Sequence, residues 1–348
     1  MPERVTVEYE RRGVAFGHWS EVELVRSLDG YSAVSLSGPF DHERLEVRRA
    51  FAPLEFPRVA VKVEGELVLT GYVRDTAPDV QATISSIGVT AYSIASELTT
   101  ICVDPARLPL EFNGLDLRQI AQRVVTASIG EESVFDGSPG GAFARVRAEP
   151  DTPIHSFIVD LARPRGFVLS DAPSGALWFR AEAPLGLPVA RLKGQPLVRV
   201  RPRFEPDNWF STVTARAKRK TGKTGAAYTE VNPLYRAEHP RCHTLKLDDV
   251  ESADAPTAAK AAVGRMIASV VSYTLDDLPT WRDPSGKLWT PNTTVTLVAP
   301  EAMVYRETEL VIRTVTLKQS PEAETASLEL VLPGTFGGSL PRGLPWEF

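Results

Sequence analysis

Cysteine is nearly missing from this sequence: Cys102 and Cys242 stand far apart in a chain of 348 residues. A disulfide framework is thereby excluded, and both are expected to be reduced thiols. No apolar run approaches the ~20 residues that a membrane-spanning helix requires. Met1 to Glu10 alternates charged and β-branched residues and lacks the apolar core of a signal peptide. The chain is therefore expected to be made and kept inside a cell until something else moves it, without membrane insertion. Surplus basic charge is also lacking. A formal net charge of −5 favours neither nucleic acid nor an anionic membrane as the main partner. Nor does the sequence hold a Gly-x-Ser-x-Gly elbow, a His-Glu-x-x-His pair or a repeated Cys-x-x-Cys.

What is present is a β-rich chain. Proline (28) and glycine (24) are frequent, which fits many short strands joined by turns. The length suggests two or three domains. In the first hundred residues Val5, Val7 and Tyr9 alternate with polar neighbours, as do Val22 and Leu24. Val59, Val61 and Val63 share a face, Glu64-Gly65-Glu66 supplies a turn, and Leu67 to Val73 returns as a hairpin arm. Gly71 within that arm predicts a bulge or a close backbone approach. Thr83 to Tyr92 closes the section as another strand.

The next hundred residues read as a small α+β unit. Asp116 with Gln119 predicts a capping box ahead of a helix burying Leu117, Ile120, Ala121 and Val124. Thr152-Pro153 predicts an N-cap followed by proline at the first helical position, with Ile154, Phe157, Ile158 and Leu161 as the stripe. Gly166 ends that helix, and a hairpin follows around Asp171 to Gly175. From Leu197 the chain is β again, with one long helix capped by Asp254 and burying Ala259, Val263, Met266, Ile267 and Val270. Strands are predicted over Thr293 to Val298, Leu310 to Lys318 and Thr325 to Leu332. The expected division is 1–97, 98–196, 197–335 and a C-terminal tail, 336–348, whose Leu340, Leu344, Trp346 and Phe348 suit docking.

Two distant hairpins share a layout. Leu67-Val68-Leu69 precedes Pro78-Asp79 by the spacing that separates Leu310-Val311-Ile312 from Pro321-Glu322. A β-rich run follows each. The pattern predicts two similar β units in one chain, and several such chains in a ring would multiply them.

Gly222-Lys223-Thr224 resembles the end of a phosphate-binding loop, but Ala217 stands where the motif needs glycine. An exposed basic hairpin tip, Arg216 to Lys223, is the better reading. His239, Cys242 and His243 offer three ligands without an evident fourth, and Pro240 sets His239 in extended backbone. A polar strand start with a buried Cys242 is expected there. Asp248, Asp249 and Glu251 precede the long helix, where negative charge suits its dipole. Asp276-Asp277 is read as a solvated turn at the helix exit. Trp178, Trp209, Trp281, Trp289 and Trp346 are expected as core or interface anchors, since no basic stripe accompanies them. No catalytic, cofactor-binding or metal-binding residue is assigned.

Trp281-Arg282-Asp283-Pro284-Ser285-Gly286-Lys287-Leu288-Trp289-Thr290-Pro291-Asn292 resembles the baseplate hub proteins of Mu-like contractile-tailed phages. So do Arg241 to Val250, the closing strands around Glu309 to Ile312 and Ser327 to Leu330 with Pro333, and Leu69-Thr70-Gly71-Tyr72-Val73 with Leu110 to Gly114. Ala91-Tyr92-Ser93 stands where relatives tend to show Gly-Arg-Ser. The resemblance implies an α+β, mostly β fold: two tail-tube-like barrels flank a small α+β region, and the chains form a pseudo-sixfold homotrimeric ring. It implies a non-enzymatic hub in the virion's tail baseplate, assembled in the host cytoplasm without cofactors. The partners implied are the tail tube or its initiator, the central spike and wedge proteins, with DNA passing unbound. A lumen without basic excess suits such passage, because phosphate contacts retard sliding. The rival reading is a tail-associated envelope hydrolase or glycan-binding module.

Overall fold

The computed structural model describes residues 4–10, 12–80, 85–183, 186–193, 199–217, 227–247, 254–337 and 339–347. The first β-rich section contributes β1 (Val5–Tyr9), β2 (Val14–Phe16), β3 (Glu21–Ser27), β4 (Ala33–Pro39), β5 (Arg58–Val63), β6 (Glu66–Val80) and β7 (Ser85–Ser93). They lie in the order β3-β4-β7-β6-β5-β1-β2, each antiparallel to its neighbours. Alternation works as the sequence predicts, with Val5, Val7 and Tyr9 buried between half-exposed neighbours. At Gly71 an added Cβ would lie 2.0 Å from the Tyr92 carbonyl oxygen, so the expected close approach is present. A short helix, α1 (Leu45–Ala50), leads into Phe51, whose ring packs against Tyr9, Phe16, Trp19 and Phe40.

The middle section holds α2 (Leu117–Ile129), β8 (Ser133–Phe135), α3 (Ile154–Ala162), β9 (Val168–Asp171) and β10 (Leu177–Arg180) around its own apolar core. The capping box of α2 is complete: Gln119 N donates to Asp116 Oδ1 at 2.8 Å, and Asp116 N donates to Gln119 Oε1 at 3.0 Å. At α3 the cap differs from expectation. Pro153 occupies the N-cap position and no side chain caps the helix. Tertiary structure supplies the acceptor instead, since Ile154 N donates to the Ile101 carbonyl at 2.9 Å.

The second β-rich section comprises β11 (Ala190–Lys193), β12 (Arg199–Phe204), β16 (Val271–Leu278), β17 (Thr294–Ala299), β18 (Val304–Gln319) and β19 (Glu324–Val331). A separate sheet of β13 (Thr212–Ala217), β14 (Ala227–Val231) and β15 (Cys242–Leu247) packs on α4 (Ala255–Val270). The apolar stripe of α4 is buried as predicted. Asp254 does stand at its N-cap, but its side chain caps nothing there. It turns to Arg165 Nε at 3.4 Å, because that buried guanidinium, stacked on the Phe143 ring, needs a counter-charge. Gly264 lets the Thr335 carbonyl approach so closely that a Cβ would sit 2.4 Å from its oxygen.

The two β-rich sections join in one 13-stranded sheet, because β18 pairs with β3 from Thr314↔Ser27 to Gln319↔Val22. One apolar core runs through both. Leu28, Val168, Ala268, Val311 and Phe336 meet where the first, middle and last sections touch. The C-terminal residues dock on their own chain: Leu344 is buried and Trp346 packs edge-on to Phe204 with ring centroids 4.8 Å apart. No helix among the described residues is long and apolar enough to cross a membrane.

Candidate assembly surface

The expected duplication is written into the strand order. β3-β4-β7-β6-β5 in the first half matches β12-β16-β19-β18-β17 in the second, antiparallel at every step. The bulges fix the register between the halves. β6 slips against β7 between Val73 and Asp75, and β18 slips against β19 between Ile312 and Thr314. Val73 therefore corresponds to Ile312, and bulged Arg74 to bulged Arg313. The sequence alignment of Leu69 with Ile312 is corrected by this, since apolar triplets slide along strands while bulges do not. Both arginines perform similar work. Arg74 Nη2 meets Glu97 Oε1 at 2.8 Å, and Arg313 Nη2 meets Asp29 Oδ2 at 2.8 Å while its Nη1 reaches Glu329 at 3.1 Å.

The seam between the halves is thus an ionic and backbone joint. Arg313 binds Asp29 across it, Lys318 Nζ lies 3.5 Å from Glu23 Oε1, and Leu28 N donates to the Arg313 carbonyl at 2.8 Å. Beside the seam the polar face of the sheet forms an open depression of ≈ 470 Å³ lined by residues such as Glu21, Glu23, Ser35, Asp75, Thr90 and Lys318. Lys318 is the single cation among its lining residues, so it has little to hold a phosphate backbone. Among the described residues the path of the large sheet runs from β12 at one end to β2 at the other. The ladder of β5 on β6 ends at Tyr72, and among the described residues β12 pairs only with β16.

Two buried carboxylates tie the halves to the middle section. Asp171 Oδ1 accepts from Ser32 N at 2.7 Å in the first half, and Glu182 accepts from Gly334 N and, at 2.9 Å, from Phe336 N in the second. Burial raises both above the ordinary carboxylate range, against the opposing pull of those hydrogen bonds.

The Trp-to-Asn segment that carries the family resemblance is a structural clasp. Trp281 is fully buried and its Nε1 donates to the Lys318 and Thr325 carbonyls at 3.1 and 2.9 Å. Asp283 Oδ1 accepts from Ser285 N at 2.8 Å, Ser285 Oγ at 2.6 Å and Lys287 N at 3.1 Å, closing the turn. Trp289 Nε1 donates to the Thr280 carbonyl at 3.0 Å, and Asn292 spans to Ala181 and Ala183.

Trp178 Nε1 donates to Asp136 at 2.8 Å under the Arg180 guanidinium, and Trp209 stacks on Tyr235. Cys242 is exposed, not buried as expected, because β15 turns it outward at a sheet margin. His243 stacks on Phe210, and no three His, Cys, Asp or Glu side chains converge among the described residues. Asp276 and Asp277 do not form a solvated turn: α4 passes directly into β16, where Asp276 pairs with Arg201 Nε at 2.6 Å and Asp277 adopts φ 61° at the bulge. Gly222-Lys223-Thr224 with most of the basic tip, and Asp248, Asp249 and Glu251, lie outside the described residues. The arginines at the bulges were missed in the sequence, where a lone arginine in a strand carries no distinguishing pattern.

No family model and no curated protein matches the chain. Solved structures do. The 43 kDa tail protein of prophage MuSo2 from Shewanella oneidensis is 21% identical, with a TM-score of 0.79 over 96% of this chain and 99% of that one. The tail protein from Neisseria meningitidis MC58 is 16% identical, with a TM-score of 0.81 over 98% and 99%. An Escherichia coli component of the type VI secretion system, described as similar to the phage T4 tail proteins gp27 and gp5, is 12% identical with a TM-score of 0.56 over 93% and 76%. Over nearly its whole length the chain has the fold of prophage tail proteins, and the resemblance to Mu-like phages seen in its sequence holds at the level of that fold.

Proposed function

We propose that the chain is the structural hub of a phage tail baseplate, three copies of which form a ring of six similar β units. The observation that carries this reading is the repeated strand order within one chain, its two halves sealed side by side along β3 and β18. Each half is read as a tail-tube-like barrel. Three chains then present six units to a sixfold tail tube or its initiator while keeping threefold symmetry for a central spike. Wedge proteins would grip the outer surface, and this face of the sheet, with more carboxylates than cations, would line a hole through which DNA passes without being held. The likeness to prophage tail proteins and to a secretion-system component supports a place in the virion tail, following assembly in the host cytoplasm. The work is mechanical and needs no catalytic group.

Native mass spectrometry of the purified chain tests this, with the 38.1 kDa subunit as the ruler, followed by electron-microscope class averages. A trimer with a central hole and six lobes is expected. A chain that stays monomeric at every concentration, alone and with tube and spike proteins, overturns the reading. Peptidoglycan release by the purified chain would establish a hydrolase instead.

A further inference from the structure

Away from the large sheet, the end of α3, one face of α4 and the β13–β15 sheet line an open cavity of ≈ 510 Å³. Binding pockets usually hold about 300–1,000 Å³, so the space is ample for a guest. On α4 the lining positions Ala258, Ala262, Arg265 and Ser269 recur at helical spacing, which puts them on one face. Alanine at two of the four keeps that wall low.

The floor is apolar and fixed in place. Phe210 N donates to Met266 Sδ at 3.3 Å, and the Phe210 carbonyl accepts from Asn232 Nδ2 at 3.0 Å. His243 stacks on the Phe210 ring with centroids 4.9 Å apart, and the Arg241 guanidinium lies 5.3 Å from the same ring. A floor tied down in this way receives a guest without first having to be ordered.

The rim is cationic. Arg163 follows the last residue of α3, Lys246 comes from β15 and Arg265 from α4. Among the described residues none of the three has a side-chain hydrogen bond or an ion pair, and Asp160 is the one carboxylate in the lining. Arg163 is near enough to repel Arg265. Burial first, and that neighbour second, lower the Arg265 pKa to about 10, with no carboxylate opposing them. Other part-buried arginines have their counter-charges: Arg74 has Glu97, Arg313 has Asp29 and Glu329, and Arg165 has Asp254. A chain of net charge −5 thus concentrates unmatched positive charge at one concave place.

We infer that this cavity receives an acidic segment of another tail protein, with one apolar side chain on Phe210 and Met266 and flanking carboxylates on Arg163, Lys246 and Arg265. The inference goes beyond the hub reading and holds whether or not copies of the chain form a ring. Shape and charge select the occupant together. A DNA duplex carries its phosphates on a convex surface, which a recessed apolar floor does not match. Inorganic phosphate would meet the cations and leave the floor uncovered. An apolar residue between acids satisfies both, the anchor supplying affinity and the charges speeding encounter.

The test titrates the full chain into a fluorescein-labelled pool of octapeptides in which Leu or Phe is flanked by Asp and Glu, read by fluorescence anisotropy at about 0.1 M salt. Saturable binding is expected. Arg163→Glu and Lys246→Glu, both at exposed positions, should each weaken it about tenfold without changing the melting temperature. Ala262→Phe fills the cavity with every charge kept and should weaken binding as much. If that variant melts early, competition by inorganic phosphate replaces it as the test of shape. No saturable binding, or binding that none of these substitutions weakens, overturns the inference. Displacement of the peptides by millimolar inorganic phosphate or by a short DNA duplex gives the cavity to a simple anion or to nucleic acid, and overturns it too. Native mass spectrometry keeps this apart from the ring. The charge reversals should leave the wild-type oligomeric state unchanged, and its loss would assign the cavity to a contact between copies and overturn the inference.

Discussion

The two β halves share a strand order and differ in what they must bear. The first carries α1 on its flank, and its β5 pairs with β6 only as far as Tyr72. The second holds α4, the β13–β15 sheet, the tryptophan clasp and the C-terminal residues, and its β18 is sealed by β3. Equal topology with unequal cover shows that the repeat is a frame on which the additions differ. At equivalent strand positions the first half has Gly71 and the second Leu310, a fully buried side chain. One half closes by backbone approach where the other closes by side-chain packing.

The strongest way to break the comparison is to remove the clasp that the first half lacks. Trp281→Ala empties a fully buried site and strands two carbonyl acceptors, and a loss of about 3–5 kcal/mol is expected in urea unfolding. A second-half transition separate from the first would show that the halves unfold independently. A coincident transition would show that the continuous core couples them.

Deleting Pro341 to Phe348 comes next. The sequence alone suggested a docking tail and left open what it docks on. In the structure Leu344 and Trp346 pack on the second half, and Glu347 pairs with Arg236 at 3.1 Å. A destabilisation of about 2–4 kcal/mol is expected, read as a lower melting temperature of the unassembled chain. An unchanged melting temperature with weakened assembly would give the tail an intermolecular role.

The mildest probe compares the two buried carboxylates. Asp171 and Glu182 both have raised folded-state pKa values, caused first by burial. Each therefore stabilises fully below its unfolded pKa, and that contribution is lost as pH rises through the folded value. Asp171→Asn and Glu182→Gln should gain on the wild type in melting temperature as pH rises from about 4. A larger gain at Asp171 would mark the first half as the one more dependent on a neutral acid. A gap independent of pH would refute the burial account for that residue.

Much of the local structure was legible because it depends on neighbours in sequence. The capping box at Asp116 and Gln119, the hairpin around Glu64 and Gly65, the stripe of α4 and the backbone approach at Gly71 all follow from periodicity and local sterics. The failures share a cause. Thr152 and Asp254 were read as caps by local rules, but Ile101 supplied one acceptor and Arg165 claimed the other carboxylate from across the fold. Asp276 read as a turn residue until Arg201 reached it from another strand. The candidate surface was least legible, because Arg74, Arg313 and Arg201 acquire meaning only from the strands beside them.

By itself the sequence determined where most strands and helices form and pointed to two similar β units. Alternation, caps and turns act within a few residues, so they can be read along the chain. The tertiary structure alone decided the register of the duplication, the sealing of β18 by β3 and the docking of the C-terminal residues. Those depend on pairing between residues hundreds of positions apart, and backbone hydrogen bonds carry no residue code to announce their partners.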